Sequence, residues 1–193
     1  SVTAVAVAAF FGLLLGAFLA VYRFYGRRVV IVVLNALMGL PPVVVGLVLY
    51  LLLSREGPLG FLGLLFSPTA MILAQFFLIL PIIAALSHQF LRDLYLEYRE
   101  QLCSLGARPN QVVFTLLWDG RVNLVTVVMA GFGRAIAEVG AVLIVGGNIA
   151  ELTRVMTTTI ALETNKGNLA LALALGIILV LGAIGLNAAA YSL

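Results

Sequence analysis

In a chain with few charges, Arg134 and Glu138 stand four residues apart inside an otherwise uncharged stretch. That spacing places both on one helical face, where opposite charges pair and lower the cost of keeping either in apolar surroundings. Such a pair can line a polar path or hold its helix to a neighbour. Thr157, Thr158 and Thr159 offer three successive hydroxyls that could donate to the oxygens of an oxyanion, or simply be solvated in a loop. Pro41 and Pro42 sit together in an apolar run, where they remove amide donors and bend or break a helix. The carbonyls they free would repel an anion, so the break reads as shaping a cavity rather than as a ligand. The other reactive types offer little. His88 is the sole histidine and has no H-E-x-x-H partner, which makes it a packing or surface residue. Cys103 is the sole cysteine, excluding a disulfide within the chain and a multi-cysteine metal site. No nucleophile is matched to a base, so no catalytic residue and no metal ligand is expected.

The elements that must position these residues belong in lipid. Of the 193 residues 63% are hydrophobic and only 10% charged, and the mean hydropathy is +1.19, outside the range of water-soluble domains. A bilayer core about 30 Å thick needs roughly 20 apolar helical residues to cross. The uncharged runs predict an all-α polytopic protein with five spans, over about 2–22, 29–53, 69–87, 121–146 and 168–190. The first run reads as a span rather than a leader, because its basic cluster Arg23, Arg27, Arg28 follows the apolar stretch instead of preceding it. Seven of the eleven basic residues fall in or beside the first and third loops. Since basic loops stay in the cytoplasm, the N-terminus is expected outside and the C-terminus in the cytoplasm, with Gly57 outside and Cys103 inside. Topology also accounts for the net charge of +3 without invoking nucleic acid. No G-x-x-x-x-G-K-[ST] loop occurs, so any ATP is expected to be handled by a partner.

The longest polar stretch, His88 to Arg121, reads as two short helices lying at the membrane surface. Leu91, Leu94, Tyr95, Tyr98, Leu102 and Leu105 recur at three- and four-residue spacing as one apolar stripe. Gly106 can end a helix with positive φ, and Pro109 suits the first turn of the next.

The string EQLCSLGA within that hairpin, about 88–120, resembles the E-A-A-x-x-x-G signature of bacterial ABC importer permeases. Glu100 and Gly106 fall on its Glu and Gly. Gln101 and Leu102 replace its alanines, and Trp118 and Asp119 stand near where an apolar-Pro pair commonly closes it. The resemblance covers nearly the whole chain. It is sharpest from Gly131 to Gly176 and extends over LMGLPPVVVGLVLYLLL, Leu37 to Leu53, where it is to the molybdate and tungstate group and most closely the tungstate-specific type. It implies a type I (MetI-like) permease fold in one transmembrane domain over 1–193. It further implies a coupling role for Glu100, Leu105, Gly106 and Ala107 against an ABC ATPase that binds ATP and Mg. A second copy of the chain and an extracytoplasmic oxyanion-binding protein complete the implied assembly, in a bacterial or archaeal plasma membrane. Phosphate and sulfate permeases are the alternative within the class, and a non-transporting assembly subunit is the alternative outside it.

Overall fold

The computed structural model describes residues 1–191. All regular elements among them are helical: α1 Val2–Val21, α2 Arg27–Met38, α3 Pro42–Leu53, α4 Pro68–Ser104, α5 Pro109–Asp119, α6 Arg121–Ile136, α7 Gly140–Gly146, α8 Met156–Asn165 and α9 Leu169–Tyr191, with a 3-10 turn at Gly60–Leu62. α1, α4 and α9 are each long and apolar enough to cross a membrane. Up to five crossings result if the bent pairs α2–α3 and α5–α6 each count as one.

The central contact is α1 against α4. Ala4, Ala8, Gly12, Gly16 and Ala20 recur every four residues and are all buried, giving α1 one smooth face. In lipid, close backbone approach rather than hydrophobicity drives helix pairing, and small residues permit it. A Cβ on Gly16 would run into the Ser87 hydroxyl, and that hydroxyl donates to the Ile83 carbonyl at 2.6 Å. Gly12 lies opposite Ile83 and Gly16 opposite Ser87, so α1 and α4 run parallel. The chain between them must therefore return from one end of the bundle to the other, and α2–α3 makes that return.

It does so through a break rather than a gentle kink. Pro41 is extended and Pro42 opens α3, leaving α2 and α3 inclined at 105°. The expected single helix over 29–53 is thus two helices, because tandem prolines remove two consecutive amide donors. The expected third span and first surface helix are, conversely, one helix of 37 residues. No glycine or proline interrupts residues 82–104, and the apolar stripe through Leu91, Leu94, Tyr95, Tyr98 and Leu102 stays in phase while packing on α1 and α5. Leu105 leaves that stripe and is 81% exposed.

The expected span over 121–146 is also divided. α6 has 16 residues, about 24 Å at 1.5 Å per residue and short of a hydrocarbon core. It stops at Ile136, and α7 resumes at Gly140. Gly131 abuts Ile79 and Ile83 of α4, and Gly140 abuts Val43, so both serve packing inside the chain, whereas Gly133 faces open space. Gly57 has no room for a side chain, since a Cβ there would strike the Leu51 carbonyl. The side chain of Cys103 lies outside the described residues.

Candidate functional site

Two ends of the bundle carry the residues singled out from the sequence. At one end, α4 closes in a helix-ending motif built on Gly106. Its φ of +65° is the left-handed conformation, and the Ala107 amide donates to the Leu102 carbonyl at 3.0 Å, the six-to-one bond of a Schellman cap. Nothing lies within 4 Å of where a Gly106 Cβ would sit. Backbone conformation, not space, is therefore what requires glycine there. Arg108 is extended, its amide donates to Gln111 Oε1 at 2.9 Å, and Pro109 occupies the first turn of α5 as its missing donor allows.

α5 then lies across the ends of α1, α4 and α6. Val112 and Leu116 are buried against Ala17, Ala20, Leu91 and Leu124. The Tyr22 hydroxyl donates to Asn110 Oδ1, and Gly120, pressed against Phe90, permits the 75° turn into α6. A second apolar pair at the same spacing, Phe114 and Trp118, points away from this base and is 72% and 69% exposed. Arg121 stacks over the Trp118 ring at 5.0 Å and donates to its carbonyl. Glu100 is exposed and has no hydrogen-bond or ion-pair partner among the described residues. The hairpin thus leaves Glu100, Leu105, Phe114 and Trp118 exposed, with Ala107 half-buried. Phe114, and its pairing with Trp118 on an exposed face, escaped the sequence reading. Their signal was available as two i, i+4 apolar pairs on one short helix, only one of which can face the bundle.

At the other end, Arg134 Nη1 donates to Glu138 Oε2 at 2.9 Å. The carboxylate is 2% exposed and the guanidinium 29%. Glu138 Oε1 also accepts the Ala141 amide at 3.0 Å, so the buried charge is held by a cation and by the first turn of α7 together. It therefore sits at the interruption between α6 and α7. Gly140 meets Val43 and Gly46 meets Ala141, so this interruption rests against the proline break that starts α3. Interrupted helices are stable at membrane depth only where protein or a polar cavity satisfies the freed groups, and here Glu138 does part of that work.

The three threonines prove to be helical rather than in a loop, since α8 begins at Met156. Thr158 is fully buried, accepting the Val155 amide and donating to the Val155 carbonyl. Its hydroxyl is used up as a helix cap. Thr159 donates to Val155 as well and is turned outward. Thr157 alone reaches the site: its hydroxyl donates to the Glu138 carbonyl at 3.3 Å, and it lines a cavity of about 270 Å³ together with Ser1, Thr3 and Gln75. Gln75 is buried and donates to the Ala135 carbonyl. Its lining is mostly apolar, with a few hydroxyls and one amide and no charged side chain. Arg134, Glu138 and Thr157 are thus brought together around the α6–α7 interruption, while Thr158 and Thr159 are not.

Residues 12–193 match the family described as the inner membrane component of binding-protein-dependent transport systems. The chain belongs to that family. It is 42% identical over its full length to the tungstate uptake system permease protein TupB of Peptoclostridium acidaminophilum, covering 85% of that protein. It is 42% identical over 97% of its length to a probable anion ABC transporter permease protein of Haloferax volcanii, covering 83% of it. A probable sulfate transport permease of Nephroselmis olivacea is more distant, 32% identical over 72% of the chain and 51% of that protein. The chain is therefore an ABC importer permease, all-α and multi-pass, as its hairpin and hydropathy led one to expect.

Proposed function

We propose that this permease imports tungstate, working as a two-fold pair with two ATPase subunits that hold ATP and Mg, and receiving the oxyanion from an extracytoplasmic binding protein. The hairpin faces the cytoplasm, the Arg134–Glu138 end faces outward, and the N-terminus is outside. The observation that carries the coupling role is the second apolar face of α5. A short helix fixed to the bundle by Val112 and Leu116 has no internal use for exposed Phe114 and Trp118, whereas a groove in a partner would bury them. Tungstate is favoured over molybdate, sulfate or phosphate by the full-length relation to a tungstate uptake permease. Low-affinity passage is supported by the absence of any charged side chain from the lining of the cavity beside Thr157 and by the pairing of Arg134 with Glu138, which leaves a dianion little net attraction, and a transporter must release what it takes in. Selectivity then resides mainly in the binding protein.

The test is uptake by the reconstituted complex with its binding protein, with tungstate, molybdate and sulfate in competition. ATP-dependent tungstate uptake that excess sulfate does not compete away is expected. Comparable sulfate import through sulfate-binding components would overturn the substrate assignment. Absence of any ATPase-dependent uptake would make the chain an assembly subunit.

A further inference from the structure

At the end of the bundle that carries α5, the loop between α1 and α2 folds against α4 beyond its apolar span and encloses a cleft of about 910 Å³. Arg23, Arg27, Arg28 and Arg92 all line it, and no acidic residue does. Arg27 is anchored, its Nε donating to the Leu19 carbonyl at 2.6 Å and its Nη2 lying 3.4 Å from His88 Nε2. Arg23, Arg28 and Arg92 have no hydrogen-bond or ion-pair partner among the described residues. Arg92 and Arg23 lie close enough to Arg27 to repel it. A loop that merely kept its arginines in the cytoplasm would let them spread apart in water. Here the fold gathers four around one concavity.

We propose that this cleft binds a tetrahedral oxyanion group, either the phosphate of an anionic lipid headgroup or a free dianion. Guanidinium forks suit such oxygens because each can donate two parallel N–H bonds to them. α2 adds to this, since it starts at Gly26 with φ +90° and no side-chain cap, and its first residues line the cleft. The Arg27 amide is taken by the Phe24 carbonyl, but the next two amides and the positive end of the helix favour the same ligand. Phe24, Tyr25 and Tyr95 stand at the same cleft, and aromatic residues of this kind sit at headgroup level in membranes. The site is separate from the cavity beside Thr157, with which it shares no lining residue, and it does not depend on which anion is transported.

The experiment compares the purified full chain with a triple variant, Arg23→Gln with Arg28→Gln and Arg92→Gln, which spares the anchored Arg27. In one arm, native mass spectrometry follows retention of phosphatidylglycerol against phosphatidylcholine from mixed micelles. In the other, calorimetry follows sodium tungstate and inorganic phosphate in lipid-free detergent. The wild type should bind in at least one arm, and the triple Gln variant should bind about tenfold or more weakly in that arm, with rising salt weakening the wild type. Lysine at the same three positions keeps the charge and should retain most of the binding. Response in the first arm alone identifies a headgroup site, and response to free anions identifies a dianion site. If the Gln triple does not fold, the exposed single change Arg28→Gln should still weaken binding about threefold. Equal binding by wild type and a folded Gln variant in both arms, or none by the wild type in either, overturns the proposal.

Discussion

At Gly106 a side chain would have space and yet be unwelcome, and that separation makes the residue a clean probe. With no atom near the position a Cβ would take and φ at +65°, any penalty is backbone strain, about 1–2 kcal/mol for a residue with a Cβ. Asparagine tolerates the left-handed region better than other residues do. Gly106→Val should therefore insert normally yet lose ATPase association or uncouple hydrolysis from uptake, while Gly106→Asn should stay near wild type in the same proteoliposome assays. Normal behaviour of Gly106→Val would remove the hairpin from the coupling path. Glu100→Ala should act in the same direction more weakly, since an exposed ionic contact is worth about 1 kcal/mol or less. The threonines carry a different lesson at this scale. All three looked equivalent in sequence, but the first turn of α8 takes Thr158 for its cap and leaves Thr157 alone facing the cavity. Capping depends on where a helix starts, and nothing in three identical neighbours marks that start.

Among the elements, α5 is the one whose two faces have different destinations. Replacing Phe114 and Trp118 together by Ala leaves the buried base untouched, so the permease should remain folded while co-purification with its ATPase falls steeply. Large exposed aromatics are the usual dominant anchors of an interface. Full ATPase retention by that double variant would mean α5 is not the docking helix. The crossings themselves were largely legible from uncharged runs, as was the break at Pro41 and Pro42, because composition and proline act locally. What could not be read was continuity. α4 runs through the expected end of the third span because tertiary contacts from α1 and α5 cover its polar-flanked stripe. α7 restarts after the end of α6 with Glu138 accepting the Ala141 amide, an arrangement between residues three apart in a region where an unbroken helix was equally plausible by pattern. Orientation can be tested with elements in hand. In a chain with Cys103→Ser, cysteine at the exposed Glu56 should react with an impermeant reagent from outside, and cysteine at the exposed Glu97 only from the cytoplasm. Reversed labelling inverts the map.

For the molecule as a whole, the decisive feature is how little of a conduit one copy contains. The cavity beside Thr157 and the arginine cleft at the opposite end share no lining residue. Between them the bundle is filled by Ile79, Ile83 and Phe132, clustered with α1, and by Ala84, clustered with residues of α1 and α2. α9, meanwhile, is the least buried of the three long helices, touching mainly α8 and, lightly, α6. A single copy thus has a packed centre and an unfilled periphery, the reverse of what a gated path for a hydrated dianion requires. Two copies about an axis normal to the membrane would supply facing walls for such a path, and closed two-fold symmetry is the commonest way for identical chains to do so. The same symmetry would present two α5 helices on one side, one for each ATPase subunit. The complex isolated in detergent should therefore have a mass corresponding to two permeases and two ATPases, and it should remain so when the binding protein is removed. One permease for two ATPases would leave the second α5 groove empty and would require the path to run through a single packed bundle, which the buried side chains between the two cavities oppose.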